Sequence, residues 1–152
     1  MKHLLSTFIG IFFLLSSQAQ TTNNPLLGTW QTIHLREIVS GHGEETVKED
    51  DEYDYYSYRF ASNGICYYRE SFSRLDHPHN YRIDQNKVYL NVVPAHLKKI
   101  EEHNHNDDYD IDSNPKEYEF YIDPSTKNLV FIYTDEGSVI KIQRIYTLKK
   151  IK

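Results

Sequence analysis

The sequence has one cysteine, Cys66, in 152 residues. No internal disulfide can form, so the fold must rest on its hydrophobic core. No Asn-x-Ser/Thr acceptor occurs, and N-linked glycosylation is not expected. There is no long basic tract, and the net charge is −5; nucleic acid, whose phosphates need a cationic surface, is not an expected partner. Gly-x-Ser-x-Gly elbows and Gly-rich phosphate loops are missing. The acidic residues, though plentiful, form no recognisable acid/base pair, so an enzyme is not expected and no cofactor is implied.

Long hydrophobic runs are also lacking, with one short exception. Residues 4–15 are apolar after a basic start at Lys2, and Ser17-Gln18-Ala19 follows with small side chains. At about twelve residues the run is short of the roughly twenty needed to cross a bilayer as a helix. The pattern is that of a signal peptide over residues 1–19, leaving a mature chain from Gln20 with no integral membrane segment. Losing Lys2 takes the charge to about −6. No cysteine stands near the cleavage point, so no lipid anchor is expected. The expected location is secreted or periplasmic, in a bacterium. Residues 20–152 are enough for a single domain.

What is abundant is aromatic. Thirteen tyrosines and seven phenylalanines favour strands over helices. Turn residues at regular spacing divide the chain into eight strand-like runs: 30–39, 53–60, 65–72, 80–84, 88–93, 116–123, 129–134 and 139–148. Asn63-Gly64 between two aromatic runs is the strongest hairpin signal. Gln85-Asn86 and residues 124–127 turn two more. The acidic stretch EETVKEDDE reads as a polar loop, His77-Pro78-His79 as a turn, and residues 95–102 as one short helix. Eight strands with short connections imply an all-β, up-and-down antiparallel barrel, which removes open edges when the last strand returns beside the first.

Both ends of the chain carry a resemblance. LLGTWQTI, with Gly28 and Trp30, resembles the Gly-x-Trp opening of the calycin superfamily, which holds the lipocalins and the fatty-acid-binding proteins. IQRIYTLKK, at 142–150, resembles the way the last strand of those barrels ends, with Arg-x-Tyr before a basic residue. The resemblance implies a lipocalin-like barrel whose first and last strands are neighbours. It also implies two alternatives for Arg144. In the lipocalin arrangement it lies over Trp30 and bonds backbone carbonyls; in the fatty-acid-binding one, Arg144 and Tyr146 grip a ligand carboxylate. The chain has no helix-turn-helix after its first strand and eight strands rather than ten, both nearer the lipocalin pattern. On physical grounds Trp30 suits a plug at one end of the barrel beneath a cationic side chain. Gly28 lets the backbone turn sharply into the strand.

Period-two alternation places Ile140, Ile142, Arg144, Tyr146 and Leu148 on one face. Tyr56, Tyr58 and Phe60 share a face, as do Cys66, Tyr68 and Phe72, and Tyr118, Phe120 and Ile122. Tyrosine walls with polar tips suit a mixed-polarity small molecule; the alternative is that the rings fill the barrel. Cys66 is expected to be buried and inert.

A loop rich in metal ligands follows the helix. Asp108, Asp110, Asp112 and Glu119 have the oxygen spacing of a calcium loop. Ser113 replaces the turn glycine, however, and Pro115 interrupts the loop, so a solvated acidic loop is the competing reading. His103 and His105 with His77 and His79 are a second, weaker metal candidate. The functional expectation is a non-catalytic binding protein with Arg144, Tyr146, Tyr56, Tyr58, Phe60 and Tyr68 toward a small hydrophobic or amphiphilic ligand. The alternative is a filled barrel serving as a protein-interaction or envelope-assembly module, with its acidic loops as the working surface and its protein partner unknown.

Overall fold

Gly28 opens the barrel with φ of +120°, a conformation open to glycine and strained for other residues. In the computed structural model, which describes residues 24–71, 76–106, 113–137 and 139–152, it starts β1 (Gly28–Gly41). β2 (Glu44–Asp50), β3 (Tyr56–Phe60), β4 (Ile65–Glu70), β5 (His77–Asp84) and β6 (Lys87–Val92) follow in chain order. Then come α1 (Pro94–Asn106), β7 (Lys116–Ile122), β8 (Leu129–Glu136) and β9 (Ile140–Lys150). All neighbours are antiparallel, and β9 returns along β1 from Trp30↔Lys150 to Gly41↔Ile140. The cycle β1-β3-β4-β5-β6-β7-β8-β9 is a closed eight-stranded up-and-down barrel.

The ninth strand corrects the expected loop. β1 is longer than β3 can cover: Gly28–Gln31 pair with β3, and Leu35–Gly41 are left to pair with β2. The acidic stretch is a strand because that open edge supplies a template, and because opposite charges face each other across it at Glu37↔Lys48 and Arg36↔Glu49. His42 and Gly43 turn the hairpin, both with positive φ (53° and 84°), as a tight primed turn requires. Every β2 residue is exposed, so no in/out alternation marked it.

Two further boundaries differ from expectation. His77-Pro78-His79 is not a turn; β5 begins at His77, paired through Tyr68↔His77. Pro78 has no amide to give, but its carbonyl accepts from Val93 N at 2.9 Å, so the proline contributes to the ladder as an acceptor. The helix runs further than residues 95–102 in both directions, with Pro94 at its first position, where a missing N–H costs nothing. Residues 1–23, which include the expected signal peptide, lie outside the described residues, as does Phe72.

Inward residues alternate along the eight strands of the barrel, and most of them meet in one core. Leu26, Trp30, Leu129 and Leu148 close the lower end, all at 3% exposure or less. Tyr58, Tyr68, Tyr118 and Phe131 pack across the waist, with Tyr118 stacked on Phe131 at 5.1 Å and Tyr58 edge-on to Phe131 at 5.4 Å. Each such ring contributes roughly 1.5–3 kcal/mol by leaving water. The waist is therefore filled with aromatic rings. Cys66 is fully buried in this core, and burial pushes its thiol pKa up, away from the reactive thiolate.

Candidate functional site

The upper end of the barrel, opposite Leu26 and Trp30, is where the inward face turns from apolar to polar. A β-bulge in β1 prepares it. The register with β9 shifts between Thr32 and His34, leaving Ile33 as the extra residue and reversing the parity above it. Below the bulge Trp30 and Thr32 point in; above it Leu35 packs on the core and Glu37 takes the next inward place. Glu37 stands opposite Arg144 of β9, whose Nε donates to Glu37 Oε2 at 2.7 Å. The pair is reachable, with side chains 38% and 22% exposed for Arg144 and Glu37.

Tyr146 lies one inward step below Arg144, and Tyr56 packs against it edge-on at 5.9 Å. Tyr53 touches both rings. Burial pulls the Arg144 pKa down, but Glu37 and the nearby phenols of Tyr146 and Tyr56 outweigh it, and the net shift is upward. Burial, then Tyr56, raises the Tyr146 phenol, so Tyr146 is a neutral donor at any physiological pH. Above the ion pair, Val39↔Ile142 on the same face extends an apolar strip along the wall. The arrangement offers a planar cation, a carboxylate and phenol hydroxyls over an aromatic floor.

This placement settles where Arg144 goes and corrects one alternative. Arg144 does not lie over Trp30. Along β1, Trp30 is about 20 Å from Glu37 at 3.3 Å per residue. Lys150 pairs with Trp30 and puts its Nζ 5.3 Å from the ring. The indole Nε1 donates to Leu26 O at 2.7 Å, so Trp30 is bound into the lower plug. Of the residues expected to line a ligand, Arg144, Tyr146 and Tyr56 come together at the mouth. Tyr58 and Phe60 lie beneath them, at 1% and 2% exposure. Tyr68 sits between the groups, its ring 5.4 Å from Tyr56 and its hydroxyl donating to Glu70 Oε1 at 2.8 Å.

Two carboxylates at this end escaped the sequence reading, as did the burial of two histidines that it named only as a metal candidate. Glu37 was hidden because simple alternation from Trp30 skips it. Glu70 continues the inward series of Cys66 and Tyr68 and could have been found by parity; it is buried, and its Oε2 has no hydrogen-bond partner among the described residues. His77 and His79 are buried at the head of β5, His77 Nδ1 lying 3.3 Å from His96 Nε2 of α1. Their burial was missed because the proline between them reads as a turn.

Of the calcium set, only Glu119 lies among the described residues. Glu119 is exposed on β7, opposite Lys87, and Asp108, Asp110 and Asp112 lie outside the described residues. The side chains of His103 and His105 do too. Among the described residues no three His, Cys, Asp or Glu side chains could hold a metal ion, and no helix is long and apolar enough to cross a membrane.

No protein-family model matches the chain, and no curated protein does. Among solved structures it is similar to a lipocalin-like protein from Bacteroides uniformis ATCC 8492, with 15% identity, 84% of this chain and 99% of that chain covered, and a TM-score of 0.49. It is also similar to an uncharacterized protein from Bacteroides eggerthii DSM 20697, with 12% identity, coverage of 82% and 98%, and a TM-score of 0.45. The strand order of this chain shows by itself a closed, eight-stranded, up-and-down antiparallel barrel, the architecture that lipocalins share with other closed barrels.

Proposed function

We propose that this chain is an exported, non-catalytic binding protein that takes a small amphiphilic molecule at the mouth of the barrel. The observation that carries the reading is the Arg144–Glu37 pair, an inward-facing yet solvent-reachable ion pair above a floor of rings. A ligand's polar head would exchange water for Arg144 and the Tyr146 and Tyr56 hydroxyls, and its apolar part would lie along Val39 and Ile142. Because Tyr58, Tyr118 and Phe131 fill the waist, the ligand sits high, not down the axis. Export rests on the composition of residues 1–19.

The test is saturation of the purified chain with a fluorescent fatty-acid probe. Arg144→Ala should weaken binding about tenfold or more, equivalent to about 1.4 kcal/mol. Glu37→Gln should strengthen it, since Arg144 then lacks its internal counter-charge. Saturable binding that ignores both substitutions would remove the ion pair from the site. The filled waist favours one other reading, a barrel that acts as a protein-interaction module. Failure of the probe to bind at all in a folded chain would move the assignment there.

A further inference from the structure

One strand keeps a free edge. The eight strands of the barrel are each paired on both sides, whereas β2 pairs with β1 alone, and all of its residues are exposed. Its register with β1 is unbroken from Leu35↔Asp50 to Gly41↔Glu44, and β9 supports the same stretch of β1 from the other side. The edge is therefore extended and fixed before any partner arrives, over about 23 Å at about 3.3 Å per residue.

The turn decides which backbone groups face outward. His42 and Gly43, both with positive φ, form a two-residue turn that closes on Gly41 and Glu44 as a hydrogen-bonded pair. Bonded pairs then recur at Thr46, Lys48 and Asp50, opposite Val39, Glu37 and Leu35. Between them Glu45, Val47 and Glu49 turn their N–H and C=O groups away from β1. Among the described residues no other backbone bonds these groups. Their side chains share the outer face of the hairpin with Ser40, Ile38 and Arg36, away from the mouth. They read carboxylate, valine, carboxylate, and Val47 is 43% exposed.

Charge on this arm has one dominant sign. Residues 44–52 carry six carboxylates, on Glu44, Glu45, Glu49, Asp50, Asp51 and Glu52, against the single cation of Lys48. Little of it is neutralised. Glu49 meets Arg36 at 3.4 Å with both side chains about half exposed, a weak pairing in water. Glu45 accepts a long bond from the Ser40 hydroxyl, at 3.4 Å.

We infer that the open edge of β2 is a docking site for an extended basic segment of a partner protein. The segment adds a strand beside Glu45, Val47 and Glu49, with Lys or Arg opposite each glutamate and an apolar residue opposite the valine. Main-chain bonds hold it, and the charge pairs select it. The pattern is symmetric about Val47, so a basic-x-apolar-x-basic segment fits in either direction. A second copy of this chain is a poor occupant. Pairing β2 with itself about Val47 sets Glu45 against Glu49 and Glu44 against Asp50, and like charges directly opposite are destabilising. The same charge thus guards the edge against its own copies and leaves it open to a strand of opposite sign.

The experiment is fluorescence anisotropy of a labelled, capped peptide with Arg-Thr-Val-Thr-Arg at its centre, titrated with the purified chain at low salt. Two control peptides accompany it, one with the five central amides N-methylated and one with Glu in place of both Arg. The basic peptide should bind saturably, and each control about tenfold or more weaker. Val47→Pro removes one outward N–H and no bond to β1, at an edge where proline is tolerated. It should weaken binding about tenfold while the thermal melt stays unchanged. Glu45→Gln combined with Glu49→Gln should weaken it about fivefold. Absence of binding by the basic peptide would overturn the inference. So would equal binding of the N-methylated peptide, or full affinity in a folded Val47→Pro variant, since charge alone would then hold the peptide. A dimer in sedimentation that Val47→Pro dissociates would give the edge to a second copy and overturn it as well. Should Val47→Pro fail to fold, the N-methylated peptide decides.

Discussion

Tyr58, Tyr68, Tyr118 and Tyr146 make the fold vulnerable to alkali. Each is less than 8% exposed, and burial is the largest cause raising each phenol well above its ordinary value. In the unfolded chain a tyrosine ionises near pH 10. Above that pH the unfolded state releases protons that the folded state retains, so the stabilisation is fully present below about pH 10 and falls as pH rises. A phenol that stays protonated in the fold costs about 2 kcal/mol of stability at about pH 11.5, and four of them about 8 kcal/mol. That is comparable with the roughly 5–15 kcal/mol total of an ordinary domain, so one cooperative unfolding step is expected between about pH 11 and 12. Circular dichroism and tyrosinate absorbance, followed together with pH, should move in the same step. Tyr146→Phe should move the midpoint up by about half a pH unit, since one of the four ionisations is gone. Smooth ionisation of all thirteen tyrosines near pH 10, with the circular dichroism unchanged, would refute the reasoning.

Two further outcomes concern the lower plug. Gly28→Ala must hold a φ of +120° and bring a methyl group onto Lys152 O and within 2.7 Å of Lys150 Cε; a loss of about 1–3 kcal/mol in chemical denaturation is expected, and an unchanged midpoint would deny Gly28 its structural role. Trp30→Phe gives up the 2.7 Å bond to Leu26 O and weakens the contact with Lys150, at a cost of about 1–3 kcal/mol. In the parent chain the fluorescence of Trp30, 3% exposed, should be blue-shifted and shielded from iodide until the barrel unfolds.

Much of the barrel was legible because strand parity is a local property. The series Tyr56-Tyr58-Phe60 and Cys66-Tyr68 each fall inward as period-two alternation requires. Asn63-Gly64 turns its hairpin, with Gly64 at a φ of +80°. Trp30 and the last strand meet at the lower end, as the paired termini implied. Where alternation was silent or misleading, the reading failed. β2 is wet on both faces and carries no pattern, and the proline in β5 concealed two buried histidines.

The sequence by itself determined which residues face inward on most strands and where most of the hairpins turn, because these follow from backbone period and turn chemistry; that the two ends of the chain lie together was implied by what those ends resemble. Only the tertiary structure decided the partners. Register between distant strands is a non-local quantity, and a single extra residue at Ile33 shifts it. That bulge brings Glu37 in place of Arg36 to the inner face, so that Arg144 meets a carboxylate at the mouth and Lys150 is left to cover Trp30.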